Sequence, residues 1–131
     1  MEKWVIPCNV KAFNIFEQFE KTNTVVFKRV GAMKKGDLAY IYLALPYSEI
    51  RFKCVVVDDA INEDKKKEHA YAIDRLSYSS INRYVELELV KEYEEGTLKL
   101  TELKKNGLGQ VQRQARMDRK LGEYIDGIEE A

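Results

Sequence analysis

Apolar and polar positions alternate through several segments of the chain, and each such segment predicts a β-strand. The alternation is most regular over 83–92, where Glu86 and Glu88 separate apolar neighbours, as in an antiparallel strand with one face in solvent. Residues 38–45 are apolar on both faces, so we expect this strand to lie centrally in a sheet or barrel. Three further strands are predicted over 4–6, 24–28 and 50–57.

Helices are predicted where apolar residues recur at three- or four-residue spacing. One such series follows Asn9, whose side-chain oxygen suits an N-cap, and it predicts a helix from about residue 10 to 20. A short helix is expected to end at Asn106-Gly107, because both residues tolerate the left-handed conformation. The polar stretch 58–80 predicts a helix and an exposed loop. The last series predicts an amphipathic helix through Leu121, Tyr124, Ile125 and Ile128.

The length of the chain and the order of these elements predict one domain with an α+β fold. A chain of 131 residues suits a single domain, which we place at 1–131. The predicted order is β-α-β-β-β-loop-β-α-α. Twisted strands joined by turns, with helices at the ends, favour a small, partly closed pseudo-β-barrel of about five mostly antiparallel strands flanked by helices.

Charge is balanced over the whole chain but not along it. The 22 basic and 22 acidic residues leave no overall field that would attract nucleic acid or an anionic membrane. Between residues 104 and 120, however, six basic residues accompany a single acid, Asp118. This segment fits a local contact with a polyanion, and it fits equally well a solvated face with ordinary salt pairs.

Residue types that usually carry catalysis or bind metal are sparse. His69 is the single histidine, and Cys8 and Cys54 lack the spacing of zinc ligands. We therefore expect two reduced, buried thiols, no metal and no cofactor. No apolar run reaches the ~20 residues that span a bilayer, and the amino terminus has no leader pattern. We predict a cytoplasmic protein without membrane association.

An ordered series of short motifs gives the sequence a family resemblance. The series consists of Trp4-Val-Ile-Pro-Cys-Asn9, Phe27-Lys28, Lys35-Gly36-Asp37-Leu-Ala-Tyr40-Ile-Tyr42, Ile50-Arg51-Phe52-Lys53, Asn106-Gly107-Leu108, Val111-Gln112, Arg116, Leu121 and Tyr124-Ile125. In this order the motifs resemble the EVE-like group of the PUA-like superfamily, a module found alone or fused to HNH nuclease domains in bacteria. The resemblance covers nearly the whole chain and is weakest over 58–80.

The resemblance implies a pocket that accepts one flipped-out base of DNA or RNA, typically a modified one. The residues implied to line the pocket are Cys8 and Asn9 as polar contacts to the base edge, Phe27 and Lys28 as a stacking wall, and Tyr42 and Tyr47 as its closure. The residues implied at the mouth of the pocket, where phosphates pass, are Arg51, Gln112, Arg113 and Arg116.

Several of these residues also have a purely structural interpretation. Asn9 would act as a helix cap, Phe27 and Trp4 as core, and Arg116 as the partner of a nearby acid. The chain also departs from the family pattern in two places. Relatives carry Trp in place of Phe27, and they have Gln-Gly-Pro where this chain has Gln-Arg-Gln over 112–114. A smaller ring and a loop without Gly and Pro predict a pocket that takes a different base or is degenerate.

Three functions of different classes follow. The first is a non-catalytic module that binds DNA or RNA through a modified base, and the sequence leaves room for a homodimer. The second is a small ASCH-like amidohydrolase acting on modified nucleosides, in which Lys28 would work with a nearby glutamate. The third is a protein-interaction domain that uses the acidic and basic patches. The sparse catalytic residue types favour the first, without deciding whether the chain is an enzyme.

Overall fold

The computed structural model of the chain describes residues 1–29, 31–61, 71–72, 84–111 and 113–130. Within these ranges it contains seven strands and three helices. The strands are β1 (Lys3–Cys8), β2 (Thr24–Lys28), β3 (Leu38–Leu43), β4 (Glu49–Ile61), β5 (Tyr71–Ala72), β6 (Tyr84–Glu92) and β7 (Ala115–Arg116). The helices are α1 (Ile15–Lys21), α2 (Leu100–Lys105) and α3 (Arg119–Glu130).

All seven described strands join one mixed sheet, in the order β5-β2-β6-β4-β3-β1-β7. Four strand pairs are antiparallel, whereas β1 with β3 and β2 with β5 are parallel. The α+β class and the mostly antiparallel pairing are thereby confirmed. Among the described residues the edge strands β5 and β7 do not pair with each other, so the prediction of a barrel is corrected to an open sheet.

The open sheet is nevertheless strongly curled. Strands β1 and β2 are four positions apart in the sheet, which would separate them by about 19 Å if the sheet were flat. Trp4 of β1 and Phe27 of β2 still belong to one buried cluster, because the sheet bends around it. We call this cluster the concave core. Its buried members include Trp4, Ile6, Cys8, Ile15, Phe27, Ile41, Leu43, Phe52, Val85 and Leu87.

A second buried cluster, the convex core, lies on the other face of the sheet and is covered by α2 and α3. Its buried residues are Val5, Tyr40, Tyr42, Ile50, Tyr93, Leu98, Leu103, Leu121 and Ile125. Strand β3 contributes to both cores, since Ile41 packs in the concave core and Tyr40 in the convex core. This confirms the central position predicted for the strand. The strand ends at Leu43, however, and Leu45 is exposed in the turn that follows.

Helix α1 starts five residues later than predicted. Its N-cap is Asn14, whose side-chain oxygen accepts a hydrogen bond from the Glu17 backbone N–H at 3.1 Å. Asn9 instead stabilises a separate turn, in which its Oδ1 accepts from the Lys11 N–H at 3.0 Å. The prediction of Asn9 as the helix cap was therefore wrong. Both asparagines use the same chemistry, but only Asn14 is followed by helical backbone.

The polar stretch 58–80 is partly extended. Strand β4 continues through Ile61, so the first residues of the stretch are strand rather than helix or loop. Residues 71–72 form β5 beside β2. The remainder of the predicted helix and loop, 62–70 and 73–80, lies outside the described residues.

Both cysteines are free and buried in the concave core, as predicted. Burial raises the pKa of the Cys8 and Cys54 thiols to about 12. Because the thiolate is the reactive form, we expect neither residue to react with iodoacetamide in the folded protein at neutral pH. Mass spectrometry should detect two alkylated cysteines only after denaturation; fast labelling of the native chain would contradict their burial.

Candidate nucleic-acid interface

Among the described residues, the Gln114 side chain links the start of β7 to the end of β2. Five steps of a flat sheet would put these strands about 24 Å apart. The Gln114 side-chain Nε2 nevertheless donates a hydrogen bond of 2.7 Å to the backbone carbonyl of Lys28. We call this place the β2–β7 gap and define it by Trp4, Phe27, Lys28, Gln114 and Arg116.

Arg116 lies in the β2–β7 gap, over the indole ring of Trp4. The two residues are partners in the antiparallel pairing of β1 with β7. The guanidinium carbon of Arg116 is 5.4 Å from the centre of the Trp4 ring, within the range of a cation–π contact. Arg116 Nε lies 3.9 Å from Glu2 Oε2, which is too far for a hydrogen bond. The Arg116 side chain is 59% exposed. The structural alternative, in which Arg116 pairs with a nearby acid, therefore amounts to a weak contact with Glu2.

The indole ring of Trp4 is held in a fixed orientation by Asp37. Trp4 Nε1 donates to the Asp37 carboxylate at 3.0 Å, and the backbone N–H groups of Glu2 and Lys34 donate to it at 3.0 and 3.1 Å. Burial by itself raises the pKa of Asp37, but these hydrogen bonds and the Lys34 charge outweigh it and lower the pKa below its usual value. Asp37 is 1% exposed and ionised at neutral pH.

Gly31 lies against the same ring. A Cβ atom at this position would lie 3.7 Å from two ring carbons of Trp4, and the residue has a positive φ of 71°. Glycine adopts this backbone conformation without steric cost, which lets the loop after β2 approach the indole.

Positive charge collects around the β2–β7 gap. Lys28 is half-buried, and Arg113, directly before Gln114 in the chain, is exposed. Arg29 donates from Nη1 to the Asp59 carbonyl at 3.3 Å, whereas its Nε is buried without a hydrogen-bond partner. In the part of the chain that the structure describes, no acidic side chain lies within ion-pair distance of Lys28. The arrangement can attract a phosphate.

Four of the residues implied by the family resemblance are at the opposite end of β1. The Cys8 thiol is buried and its sulfur lies 4.0 Å from the Phe13 carbonyl oxygen, while Asn9 is exposed in its turn. Trp4 and Cys8 are four residues apart along the strand, or about 13 Å. Tyr47 and Arg51 also lie at this end. Phe27, Lys28 and Arg116 belong to the β2–β7 gap, and Arg113 is the exposed residue directly before Gln114. The structure therefore divides the implied pocket between two ends of the sheet.

Two further implied residues join neither group. Tyr42 is buried in the convex core, on the face of the sheet opposite to Phe27. Gln112 lies outside the described residues.

At the end of β1 near Cys8, Arg51 forms a buried ion pair with Glu49. Residue pairing passes from Ile41↔Phe52 to Tyr42↔Ile50, which leaves Arg51 as the extra residue of a β-bulge. Its guanidinium donates to Glu49 Oε2 from Nε at 3.0 Å and from Nη2 at 2.6 Å. It also lies 5.3 Å from the centre of the Phe16 ring. With a side chain only 10% exposed, Arg51 is enclosed rather than presented to a phosphate.

Glu49 is fully buried and receives hydrogen bonds at both carboxylate oxygens. The Gly96 backbone N–H donates to Oε1 at 2.7 Å, and the Lys99 ammonium lies 3.7 Å from the same oxygen. Burial acts to raise the pKa of Glu49, but the Gly96 N–H, Arg51 and Lys99 together lower it below its usual value. The group ties the 94–99 turn to the start of β4, which is a structural role.

Sequence reasoning missed Asp37 as the anchor of Trp4, Gln114 as the bridge across the gap, and Arg29 beside it. The Lys35-Gly36-Asp37 motif predicted a turn, but it did not indicate a hydrogen bond between Asp37 and Trp4.

No cluster of three or more His, Cys, Asp or Glu side chains that could hold a metal occurs within the described ranges. Of the helices in those ranges, none is long and apolar enough to cross a membrane.

Comparison with known proteins identifies the fold. No protein-family model matches the chain, and no curated protein has a significantly similar sequence. Among solved structures, a hypothetical protein of Leishmania major superposes with a TM-score of 0.68 at 19% identity, covering 99% of this chain and 96% of that one. A protein of Rhodopseudomonas palustris gives 0.67 at 13% identity, covering 98% and 92%. The ASCH protein of Zymomonas mobilis gives 0.64 at 10% identity for one variant, covering 97% and 96%.

These likenesses show the fold alone, because all three identities are low. The chain therefore shares the fold of the Zymomonas mobilis ASCH protein, while its membership of the PUA-like superfamily stays a prediction. The assignment to the EVE-like group and the link to HNH nucleases stay predictions.

Proposed function

We propose that this chain, with the PUA-like fold of the ASCH proteins, is a non-catalytic nucleic-acid-binding module that recognises an unpaired, modified base at the β2–β7 gap. The observation that supports the proposal is the Arg116 guanidinium over the Trp4 indole ring, beside the hydrogen bond from Gln114 to the Lys28 carbonyl. Cations beside an aromatic ring are what a nucleic acid needs, since phosphates pair with the cations and bases stack on the ring.

The mechanism consists of extrusion followed by capture. Taking a base out of a stack costs a few kcal/mol, and least where the base is already unpaired or modified. Stacking on an aromatic side chain returns about 1–3 kcal/mol per base. The cations of the gap add phosphate contacts, whose contribution falls as salt rises.

The direct test removes the two exposed arginines of the gap. An Arg113→Ala/Arg116→Ala variant is expected to bind single-stranded oligonucleotides more weakly, and its plot of log affinity against log salt should be less steep by about one per arginine. Fluorescence anisotropy with labelled DNA and RNA, unmodified or carrying methylated or hydroxymethylated bases, measures both quantities. We expect the wild-type chain to prefer one modified oligonucleotide.

A matched control removes two other exposed cations. Lys11→Ala/Lys91→Ala changes net charge equally, at positions in the turn after β1 and on β6. Equal losses in the two double variants would show a general charge effect and would count against the gap as the binding site. Phe27 and Tyr42 are poor targets, because both are buried and alanine there would leave cavities in the two cores.

A further inference from the structure

Building on the proposed function, we propose that Arg116 occupies the place of a base on Trp4, and that an unpaired base of single-stranded nucleic acid displaces it. The guanidinium group is planar and stacks on aromatic faces much as a base does. In the free protein it lies over the only tryptophan of the chain, at the edge of the β2–β7 gap. Arg116 is thus a positioning residue that keeps the stacking surface covered until the ligand arrives.

The surface beneath Arg116 is rigid. Three N–H donors, including that of the indole ring, converge on the buried Asp37 carboxylate. Gly31 lies next to the ring, since a Cβ at this position would be in van der Waals contact, 3.7 Å from two ring carbons. A ring fixed in this way loses little conformational freedom when a ligand stacks on it, which favours binding.

The cover itself is weakly held. Strand β7 is two residues long and lies at the edge of the sheet. The Arg116 side chain has no hydrogen bond to a described residue; its contacts are the Trp4 ring and Glu2 at 3.9 Å. Exposed pairs of this kind contribute little, and a base presents a larger face to the ring than a guanidinium does. Replacement of the Arg116 guanidinium by a base on the Trp4 ring is therefore favourable.

Displacement also gives Arg116 a second partner. A base on Trp4 brings its own phosphate to the rim of the gap, where Arg113 and the freed guanidinium lie. Arginine pairs with phosphate through two parallel N–H···O bonds, which the present loose contact with Glu2 does not provide. The positive charge of Arg116 therefore stays in the complex, paired with a phosphate.

Single-stranded nucleic acid is the ligand class that these features fit. The chain has no net charge, and few cations surround the gap, so phosphate contacts cannot offset the cost of opening a duplex. A single strand presents bases that are already free to stack.

Trp4 reports on this exchange directly, since no other tryptophan contributes to emission. In the wild-type chain we expect a single-stranded oligonucleotide to quench Trp4 emission, and an abasic oligonucleotide of the same length to bind without quenching. In the free Arg116→Ala variant, Trp4 emission should shift to the red and acrylamide should quench it several-fold more efficiently. Arg113→Ala, which removes a neighbouring charge without touching Trp4, should leave the emission of the free protein unchanged.

The outcomes separate this inference from the proposed function. Binding seen by anisotropy with unchanged Trp4 emission would overturn the displacement and leave nucleic-acid binding standing. Unaltered acrylamide quenching in Arg116→Ala would show that Arg116 does not cover the ring, and it would overturn the inference whether or not oligonucleotides bind. Absence of binding to every oligonucleotide would overturn both. Arg116→Lys, which keeps the charge but not the planar group, should retain salt-dependent binding with Trp4 more accessible to acrylamide.

Discussion

The Glu49→Gln variant is expected to unfold with a free energy about 3–5 kcal/mol lower than that of the wild-type chain, because the substitution leaves the Arg51 guanidinium buried without its counter-charge. Glu49 is completely buried and Arg51 is 8% exposed, so water cannot replace the lost partner. The neutral amide also replaces the charged acceptor of the Gly96 N–H. Urea denaturation followed by far-ultraviolet circular dichroism measures the difference.

Glu92→Gln is the matched control for that variant. Glu92 is the other carboxylate near Arg51, but its oxygen is 4.0 Å away and its side chain is 55% exposed. Exposed pairs contribute about 0–1 kcal/mol, so this variant should unfold close to wild type. Similar losses for Glu49→Gln and Glu92→Gln would refute the assignment of the ion pair to Glu49.

Acidic pH should weaken the ion pair between Glu49 and Arg51. The pKa of Glu49 is lower in the folded state than in the unfolded state, so the folded carboxylate holds its proton less tightly. Its contribution is fully present above the unfolded pKa of about 4.3, and it is lost as the pH falls through the lower, folded value. Asp37 acts in the same direction. Glu49→Gln should therefore lose less stability than wild type between neutral and acidic pH.

The Asp37→Ala variant is expected to unfold with a free energy about 3–4 kcal/mol lower than that of wild type. Hydrogen bonds to a charged group contribute about 1.5–3 kcal/mol each, and three donors lose their acceptor. Water can reach the two part-buried backbone donors, whereas the Trp4 indole N–H is buried. Denaturation followed by Trp4 emission measures the loss of stability and the altered surroundings of the ring together.

A control variant and a second measurement make the Asp37→Ala test specific. Glu20→Ala removes an exposed carboxylate elsewhere and should change the free energy of unfolding by less than about 0.5 kcal/mol. Asp37→Ala should also broaden the Trp4 emission of the folded protein, because the ring has lost its anchor. A folded Asp37→Ala protein with wild-type emission would contradict the role of Asp37 in orienting the indole.

Local patterns in the sequence predicted the interior strands and the last helix well. Strand β6 alternates because Val85 and Leu87 pack in the concave core while Glu86 and Glu88 lie on the other face, and β3 is apolar throughout because both faces are covered. The start of α1 could not be read in the same way. Asn9 and Asn14 are equally good caps by sequence, and only the course of the backbone decides between them.

The candidate site depends on contacts that no local pattern records. Gln114 meets the Lys28 carbonyl across 86 residues of sequence, and the bond exists because the sheet curls. Arg51 was placed at a pocket mouth, and the β-bulge that turns it toward Glu49 has no signature in its neighbours. Tyr42 is different, since alternation along its strand had already put it on the opposite face from Ile41. The motif series predicted a superfamily, but it could not indicate which residues share a surface.

The place of β1 between β3 and β7 has a consequence for how the chain folds during synthesis. Strand β1 leaves the ribosome before both of its partners and can pair with residues 38–43 early, but its other edge stays open until residues 115–116 have emerged. The convex core is likewise incomplete until α3 is made. Pairings between such distant segments form slowly, and an open strand edge can pair with another chain. A truncated chain lacking the final eighteen residues, 114–131, should therefore aggregate, and dilute refolding of the full chain should give a higher yield than concentrated refolding.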